Sequence, residues 1–158
     1  MELVGEAVGI LIIDDFAHHP TAIRETLGAA RARFPHRRLW ALLEPRSNTL
    51  RRSVFQEELV DALARADRVI LAEVYRQDKI PAAERLNPEQ LCDDLNRRGI
   101  PAEMGGDADQ MVEALLWQLR EGDVVVAMSN GGFGGLHRNL LDALNKRSLA
   151  RSPSAQTA

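Results

Sequence analysis

The 158-residue sequence lacks the features of secreted and membrane proteins. Its single cysteine, Cys92, has no partner for an internal disulfide, which fits a reducing compartment. No apolar run approaches the ~20 residues that span a bilayer, and the first residues, MELVGEAVG, have neither the basic flank nor the apolar block of a secretory signal. We therefore expect a cytoplasmic protein without a membrane partner.

Lysine is also scarce, and positive charge is not in excess. The formal net charge is −3 with both signs interspersed, so there is no basic stripe for a phosphate backbone and we predict no nucleic-acid partner. The two lysines, Lys79 and Lys146, are followed by Ile80 and Arg147, so neither can complete the phosphate-loop motif GxxxxGKS/T. This excludes nucleoside triphosphate binding through that loop.

Hydrophobic residues make up 45% of the sequence, enough for the core of one compact domain. Short β-branched runs alternate with segments of helical period, a pattern typical of βαβ units on a parallel sheet. Predicted strands cover Val8–Ile13, Arg38–Leu43, Arg68–Ala72, Ala102–Met104 and Val124–Met128. Predicted helices cover Pro20–Arg33, Arg52–Arg65, Pro88–Arg98, Ala108–Arg120 and Leu136–Lys146. The pattern predicts an α/β fold with an open, mostly parallel sheet of about five or six strands flanked by helices.

Residues 1–150 are predicted to form this one domain. From Arg151 the sequence RSPSAQTA has small, polar side chains without periodicity, so residues 151–158 are expected to be a disordered tail. The segment Glu73–Asn87, with its mixed charges and Pro81, is predicted to be a long surface loop. Because the chain begins almost directly on its first predicted strand, we expect it to be a domain of a longer protein.

Ligands of an open parallel sheet bind outside the carboxyl ends of its strands, where three segments carry clustered polar groups or glycines. The first is DDFAHHPT, which starts at Asp14. Neighbouring residues on an extended chain point to opposite faces, so Asp14 and Asp15, and likewise His18 and His19, should not share a metal ion, and we predict no metal site. Two roles remain open for Asp15. It could accept hydrogen bonds from ribose hydroxyls, or order the turn while His19 caps the next helix.

The second segment is EPRSNTLRR, after the second predicted strand. Ser47, Asn48 and Thr49 are each good helix caps, but three in succession exceed what one helix needs. With Arg46, Arg51 and Arg52 they would form a hydrogen-bonding surface for an anionic ligand such as a peptide carboxylate. The arginines could equally be solvated, because arginines in the first turn oppose the dipole of a helix.

The third segment is MSNGGFGGLHRNLL, a strand end followed by a glycine-rich turn and a helix. Glycines let backbone amides approach a ligand closely, and the start of the helix favours an anion. The segment is a candidate cradle for a carboxylate, since a tight connection alone does not need four glycines in five residues. Ser129 lacks the GxSxG elbow and Cys92 lies within a predicted helix, so we expect no catalytic nucleophile.

In these three segments the sequence resembles the Mur ligase family of bacterial cell-wall enzymes. DDFAHHPTAI is similar to the DDYGHHPTE-type block that opens the third domain of the muramate-alanine ligases. EPRSNT lies where those enzymes have a QPHRYTR-type block, with Ser47, Asn48 and Leu50 in place of its Arg, Tyr and second Arg. EPRSNT and SNGGFGG together resemble the branch of the family that joins an intact tripeptide. The likeness extends from about Gly5 to Leu144.

The resemblance implies a Rossmann-like carboxy-terminal domain of a three-domain ligase, whose amino-terminal domain binds the UDP-sugar and whose central domain carries the ATP phosphate loop. Such a ligase uses ATP and Mg²⁺ to activate the carboxylate of UDP-N-acetylmuramate as an acyl phosphate. It then joins the murein tripeptide L-alanyl-γ-D-glutamyl-meso-diaminopimelate during cell-wall recycling. This chain alone is expected to be inactive.

The resemblance also implies roles for single residues. By motif position, Asp15 would meet the ribose of ATP, Phe16 would lie near the adenine, and His18 would sit beside the nucleotide. The tripeptide would be contacted by Arg46, Ser47, Asn48, Thr49, Ser129, Asn130, Gly131, Gly132, Gly134 and Gly135.

Three other interpretations stay open. The chain could be the corresponding domain of a muramate-alanine ligase. It could be a stand-alone module with a flavodoxin-like sheet, in which case the isolated chain would bind a nucleotide or peptide tightly. It could also be a small hydrolase that uses a metal held by residues of DDFAHHPT, in which case bound zinc or manganese would be found.

Overall fold

The structure is a computed structural model that describes residues 1–151. Its strands are β1 (Glu2–Ala7), β2 (Ile10–Asp15), β3 (Leu39–Leu43), β4 (Arg68–Ala72), β5 (Ala102–Gly106) and β6 (Val124–Met128). Its helices are α1 (Pro20–Arg33), α2 (Gln56–Leu63), α3 (Pro88–Arg97), α4 (Ala108–Gln118) and α5 (Leu136–Arg151). From β2 onward, strands and helices alternate as predicted.

The six strands form one sheet in the order β1-β2-β6-β3-β4-β5. Strand β1 runs antiparallel to β2, and all other neighbouring strands are parallel. The expected open and mostly parallel sheet is confirmed. Strand β6, the last in sequence, lies between β2 and β3, so the carboxyl ends of these three strands stand side by side at one edge of the sheet.

Helices cover both faces of this sheet. Helices α1, α2 and α3 pack on one face through residues such as Leu27, Leu63 and Leu95. Helices α4 and α5 pack on the other face through Leu115 and Leu140. Every residue of β6 is buried, because this central strand has both faces covered. This burial explains why the sequence of β6, VVVAM, is apolar throughout and does not alternate between apolar and polar residues.

The amino-terminal strand differs from the prediction. The strand predicted at Val8–Ile13 begins only at Ile10, because Val8 and Gly9 form a two-residue hairpin turn with φ angles of 48° and 75°. Positive φ at both central residues is typical of the type I′ turn that joins antiparallel strands. Valine rarely adopts this conformation, so the sequence offers no signal for the turn. Strand β1 was therefore missed.

The helix ends also show differences from the prediction. Helix α2 starts at Gln56 because residues 53–55 form a 3₁₀ turn. Helix α5 extends past its predicted end at Lys146 to Arg151, and residues 152–158 of the predicted tail lie outside the described residues. Gly99, with φ 79°, follows α3 as predicted, whereas Gly122 lies in a turn beyond the end of α4.

Asp107 caps α4, as the sequence predicts. Its Oδ1 accepts a hydrogen bond from the backbone N–H of Gln110 at 2.9 Å, and the Gln110 side chain accepts one from the backbone N–H of Asp107 at 3.0 Å. This reciprocal pair is a capping box. No helix within residues 1–151 is long and apolar enough to cross a bilayer.

The carboxylate of Asp123 joins the amino ends of β3 and β6, at the edge opposite the three polar segments. It is 3% exposed, and it accepts hydrogen bonds from Arg38 Nε at 2.9 Å and Arg38 Nη2 at 2.6 Å. It also accepts from Trp40 Nε1 at 3.1 Å and from the backbone N–H of Arg120 at 2.9 Å. The hydrogen bond to Asp123 raises the pKa of the Arg38 guanidinium.

We predict that Asp123→Asn destabilises the domain. The substitution keeps the side-chain shape but leaves the Arg38 charge without its buried partner, which should lower the free energy of unfolding by about 3 kcal/mol. Urea unfolding at pH 7 measures this change. Asp61→Asn is the control, because Asp61 pairs with Arg98 on the surface and should cost at most about 1 kcal/mol. Equal losses in the two variants would contradict the structural role of Asp123.

Candidate functional site

The sheet order brings the three polar segments into direct contact. The backbone N–H of Ser129, after β6, donates to the carbonyl of Asp15, at the end of β2, at 3.1 Å. The N–H of Glu44, after β3, donates to the carbonyl of Met128 at 3.1 Å. The predicted ligand-binding segments therefore form one continuous surface.

Asp15 has an ordering role in this surface. Its Oδ1 accepts hydrogen bonds from the backbone N–H of Ala17 at 2.9 Å and from the Thr26 hydroxyl at 3.0 Å. Its Oδ2 lies 2.7 Å from the amino group of Met1. The carboxylate thus fixes the turn between β2 and α1, one of the two roles expected from the sequence. The ribose contact remains a prediction.

The neighbouring side chains point as the strand alternation predicts. Asp14 faces the side of α5, where its Oδ1 lies 4.0 Å from His137 Nδ1, whereas Asp15 faces α1. His19 caps α1 and accepts a hydrogen bond from the N–H of Thr21 at 3.3 Å. Across residues 1–151, no three His, Cys, Asp or Glu side chains cluster closely enough to hold a metal ion.

Phe16 and His18 form the outer part of the β2 turn. The Phe16 ring is 66% exposed and meets the His18 ring edge to face, with centroids 5.1 Å apart. His18 Nδ1 lies 2.8 Å from the carbonyl of Phe16, so the tautomer that carries its proton on Nδ1 donates to it. An exposed, flat aromatic face at this edge is able to stack on a planar ligand.

The EPRSNT segment divides into internal and outward-facing residues. Ser47 is buried, and its hydroxyl donates to the carbonyl of His18 at 3.1 Å and accepts from the N–H of Leu50 at 3.1 Å. Asn48 is exposed, and its Oδ1 accepts a hydrogen bond from Arg51. The Thr49 side chain makes no hydrogen bond within residues 1–151. Ser47 therefore joins the β2 and β3 segments, while Asn48 and Thr49 are available to a ligand.

The glycine-rich loop is anchored at Ser129. This buried hydroxyl donates to Glu44 Oε2 and accepts from the N–H of Gly131 at 2.9 Å. The turn requires glycine at Gly134 and Gly135, whose φ angles are 56° and 72°. Gly132 is exposed, with open space where a Cβ would lie.

Two further side chains of the loop are partly or fully inside the protein. Asn130 Oδ1 is buried without a hydrogen-bond partner among residues 1–151. Phe133, which the sequence did not single out, has φ 46° and buries its ring in the core beneath the loop. The loop therefore presents backbone groups to the surface and secures itself through its side chains.

A cavity of about 340 Å³ opens beside this loop. It is lined by Glu44, by residues 72–76 after β4, by residues 106–108 after β5, and by Phe133 and Gly134. The residues after β4 were predicted to be only a surface loop. The carboxyl-end rule applied to β4 and β5 would have selected them, because every parallel strand ends at this edge.

Cys92 is excluded as a nucleophile by its surroundings. Its side chain is buried, and burial raises the pKa of the thiol to about 11. The thiol is therefore protonated near neutral pH, and a protonated thiol is a poor nucleophile.

The comparison with known families agrees with this geometry. Residues 1–131 match the model of the Mur ligase, glutamate ligase domain. The chain belongs to the Mur ligase family.

The sequence similarity to individual Mur ligases extends over 82% to 95% of the chain in the two examples that follow. It is 41% identical over 151 residues to the UDP-N-acetylmuramate–L-alanyl-γ-D-glutamyl-meso-2,6-diaminoheptandioate ligase of Escherichia coli (strain K12), covering 95% of the chain and 31% of that protein. It is 32% identical over 130 residues to the UDP-N-acetylmuramate–L-alanine ligase of Desulfitobacterium hafniense, covering 82% of the chain and 29% of that protein. The crystal structure of a murein peptide ligase from Psychrobacter arcticus matches with a TM-score of 0.75 and 36% identity, over 92% of the chain and 29% of that structure. The chain thus spans less than a third of each of these proteins.

Proposed function

We propose that this chain is the carboxy-terminal domain of an ATP-dependent ligase that joins L-alanyl-γ-D-glutamyl-meso-diaminopimelate to UDP-N-acetylmuramate in peptidoglycan recycling. The observation that carries the proposal is the position of the Arg46 guanidinium beside the cavity. Its guanidinium makes no hydrogen bond within residues 1–151, and it contacts Glu44 and Tyr75, which both line the cavity. Its N–H donors are therefore available to a carboxylate at the cavity mouth.

The size of the cavity supports a peptide substrate over a single amino acid. A volume of about 340 Å³ exceeds what free alanine fills. The tripeptide carries several carboxylates, which suit Arg46 and the backbone N–H groups of the glycine-rich loop. The alternative is an alanine-adding ligase, which the likeness to the Desulfitobacterium hafniense protein supports at lower identity.

The β2 turn supports a nucleotide contact. The exposed Phe16 ring fits the face of an adenine, and within residues 1–151 the one polar partner of Asp15 Oδ2 is the Met1 amino group. His18 lies beside them. When bound with Mg²⁺, ATP supplies the phosphoryl group that activates the muramate carboxylate.

The remaining parts of such an enzyme lie outside this sequence. The phosphate-loop motif is absent, so the ATP phosphates and the UDP-sugar would be held by the amino-terminal and central domains. This chain would close over the nucleotide, present the tripeptide and exclude water from the activated carboxylate. We place the reaction in the cytoplasm, where a single unpaired cysteine is unremarkable.

A ligation assay tests this proposal. We expect the full-length protein from the native reading frame to form a UDP-N-acetylmuramoyl-tripeptide from UDP-N-acetylmuramate, tripeptide and ATP, and the 158-residue chain alone to form none. Mass spectrometry of the product provides the measurement, with L-alanine as the competing amino acceptor. Efficient use of L-alanine and none of the tripeptide would establish the alternative, and product formation by the chain alone would overturn the domain assignment.

The two binding regions should respond separately to substitution. We predict that Asn48→Tyr raises the Michaelis constant for the tripeptide by steric exclusion and leaves that for ATP nearly unchanged.

Asp15→Asn should raise the Michaelis constant for ATP roughly 10-fold and leave that for the tripeptide nearly unchanged, since a charge-assisted hydrogen bond contributes about 1.5 kcal/mol or more. Thr26→Ala is the control for Asp15, because it removes only the internal hydrogen bond. Equal increases for both substrates would mean general destabilisation, and an effect of Thr26→Ala on ATP as large as that of Asp15→Asn would reject the ribose contact.

A further inference from the structure

The side chain of Arg46 is held in place by an aromatic ring. Its guanidinium carbon lies 3.8 Å from the centroid of the Tyr75 ring, the shortest of the arginine–aromatic contacts within residues 1–151. A cation over the face of an aromatic ring is attracted by the ring quadrupole. Stacking of this kind uses the face of the guanidinium and leaves the N–H donors at its edge free.

Gly131 gives Arg46 the space for this position. A Cβ on Gly131 would lie 2.5 Å from Arg46 Nε and 2.7 Å from Arg46 Cδ, which is closer than non-bonded atoms approach. The arginine therefore contacts both the Tyr75 ring and the bare backbone of the glycine-rich loop. Glu44 Oε1, at 3.6 Å from Arg46 Nη1, adds charge attraction without a hydrogen bond.

Tyr75 is itself fixed by neighbouring segments. Its backbone N–H donates to the carbonyl of Pro45 at 3.1 Å, directly beside Arg46 in sequence. Its carbonyl accepts from Arg51 Nη1 at 3.3 Å, and the same nitrogen donates to the carbonyl of Arg76 at 3.2 Å. The segment after β4 is thus tied to the EPRSNTLRR segment through both backbone groups of Tyr75.

We propose that Tyr75 is a positioning residue that holds Arg46 in the orientation needed to bind a carboxylate of the incoming peptide, and that Gly131 is glycine to make room for it. This inference rests on the proposed tripeptide substrate. An arginine already ordered in the free protein loses less conformational entropy when the ligand binds, so the ring contributes to affinity without touching the substrate. The phenol oxygen plays no part in this contact.

The test combines side-chain order, measured on the 158-residue chain, with affinity, measured on the full-length protein from the native reading frame. The NMR signal of the Arg46 Nε–H group, shifted by the ring current of Tyr75, reports the contact. Calorimetric titration with L-alanyl-γ-D-glutamyl-meso-diaminopimelate reports the Kd. The variants are Tyr75→Leu, which removes the ring, and Tyr75→Phe, which keeps it. Trp117→Leu is the control, because Trp117 is 90% exposed and is absent from the arginine–aromatic contacts of residues 1–151.

We expect Tyr75→Leu to abolish the ring-current shift and to weaken tripeptide binding roughly 2- to 30-fold, the range of a cation–π contact. Tyr75→Phe and Trp117→Leu should change the Kd less than about 2-fold. Gly131→Ala should move the Arg46 signal, whereas Gly132→Ala should not, because Gly132 has open space around it.

The possible failures are distinguishable. An unshifted Arg46 signal in the wild-type chain, or an equal Kd for the wild type and Tyr75→Leu, contradicts the positioning role and leaves the proposed function standing. If the chain shows the shifted Arg46 signal but the full-length protein does not bind the tripeptide, the proposed function is contradicted, and the positioning role falls with it.

Discussion

The insertion of β6 between β2 and β3 is the constraint on which the candidate site depends. These strands pair in parallel, so the segments that follow them emerge at the same edge, and backbone hydrogen bonds join Asp15 to Ser129 and Met128 to Glu44. The insertion is held at the opposite edge by the buried Asp123 carboxylate, which links Arg38 and Trp40. A strand buried on both faces has little freedom to shift, because a slip of one residue would reverse the direction of every side chain.

The polar residues of this edge fall into two groups with different tasks. Ser47 and Ser129 are buried and use their hydroxyls to connect one segment to another. Phe16, Arg46 and Asn48 are wholly or partly exposed and are left to meet ligands. Polar side chains that satisfy each other internally order a backbone, and an ordered backbone presents the exposed groups at fixed positions. The site is therefore a set of exposed groups on an internally bonded frame.

Much of this architecture follows from local sequence. β4, β6 and α1 have the predicted bounds, because apolar runs, Pro20 and the chain's turn residues signal them directly. Other features depend on tertiary contacts that no local pattern reveals. The left-handed conformation of Val8 is one, and the stacking of Arg46 on Tyr75, from a different strand end, is another. The inward orientation of the Ser47 hydroxyl likewise depends on the position of the His18 carbonyl.

Backbone amide NMR of the full-length protein tests the central claim most directly, since it shows which residues a ligand meets. We expect the murein tripeptide to shift the amide signals of Gly131, Gly132 and Asn48, and L-alanine at the same concentration to shift them far less. Equal shifts with both ligands, or tripeptide shifts confined to residues away from this edge, would contradict the account.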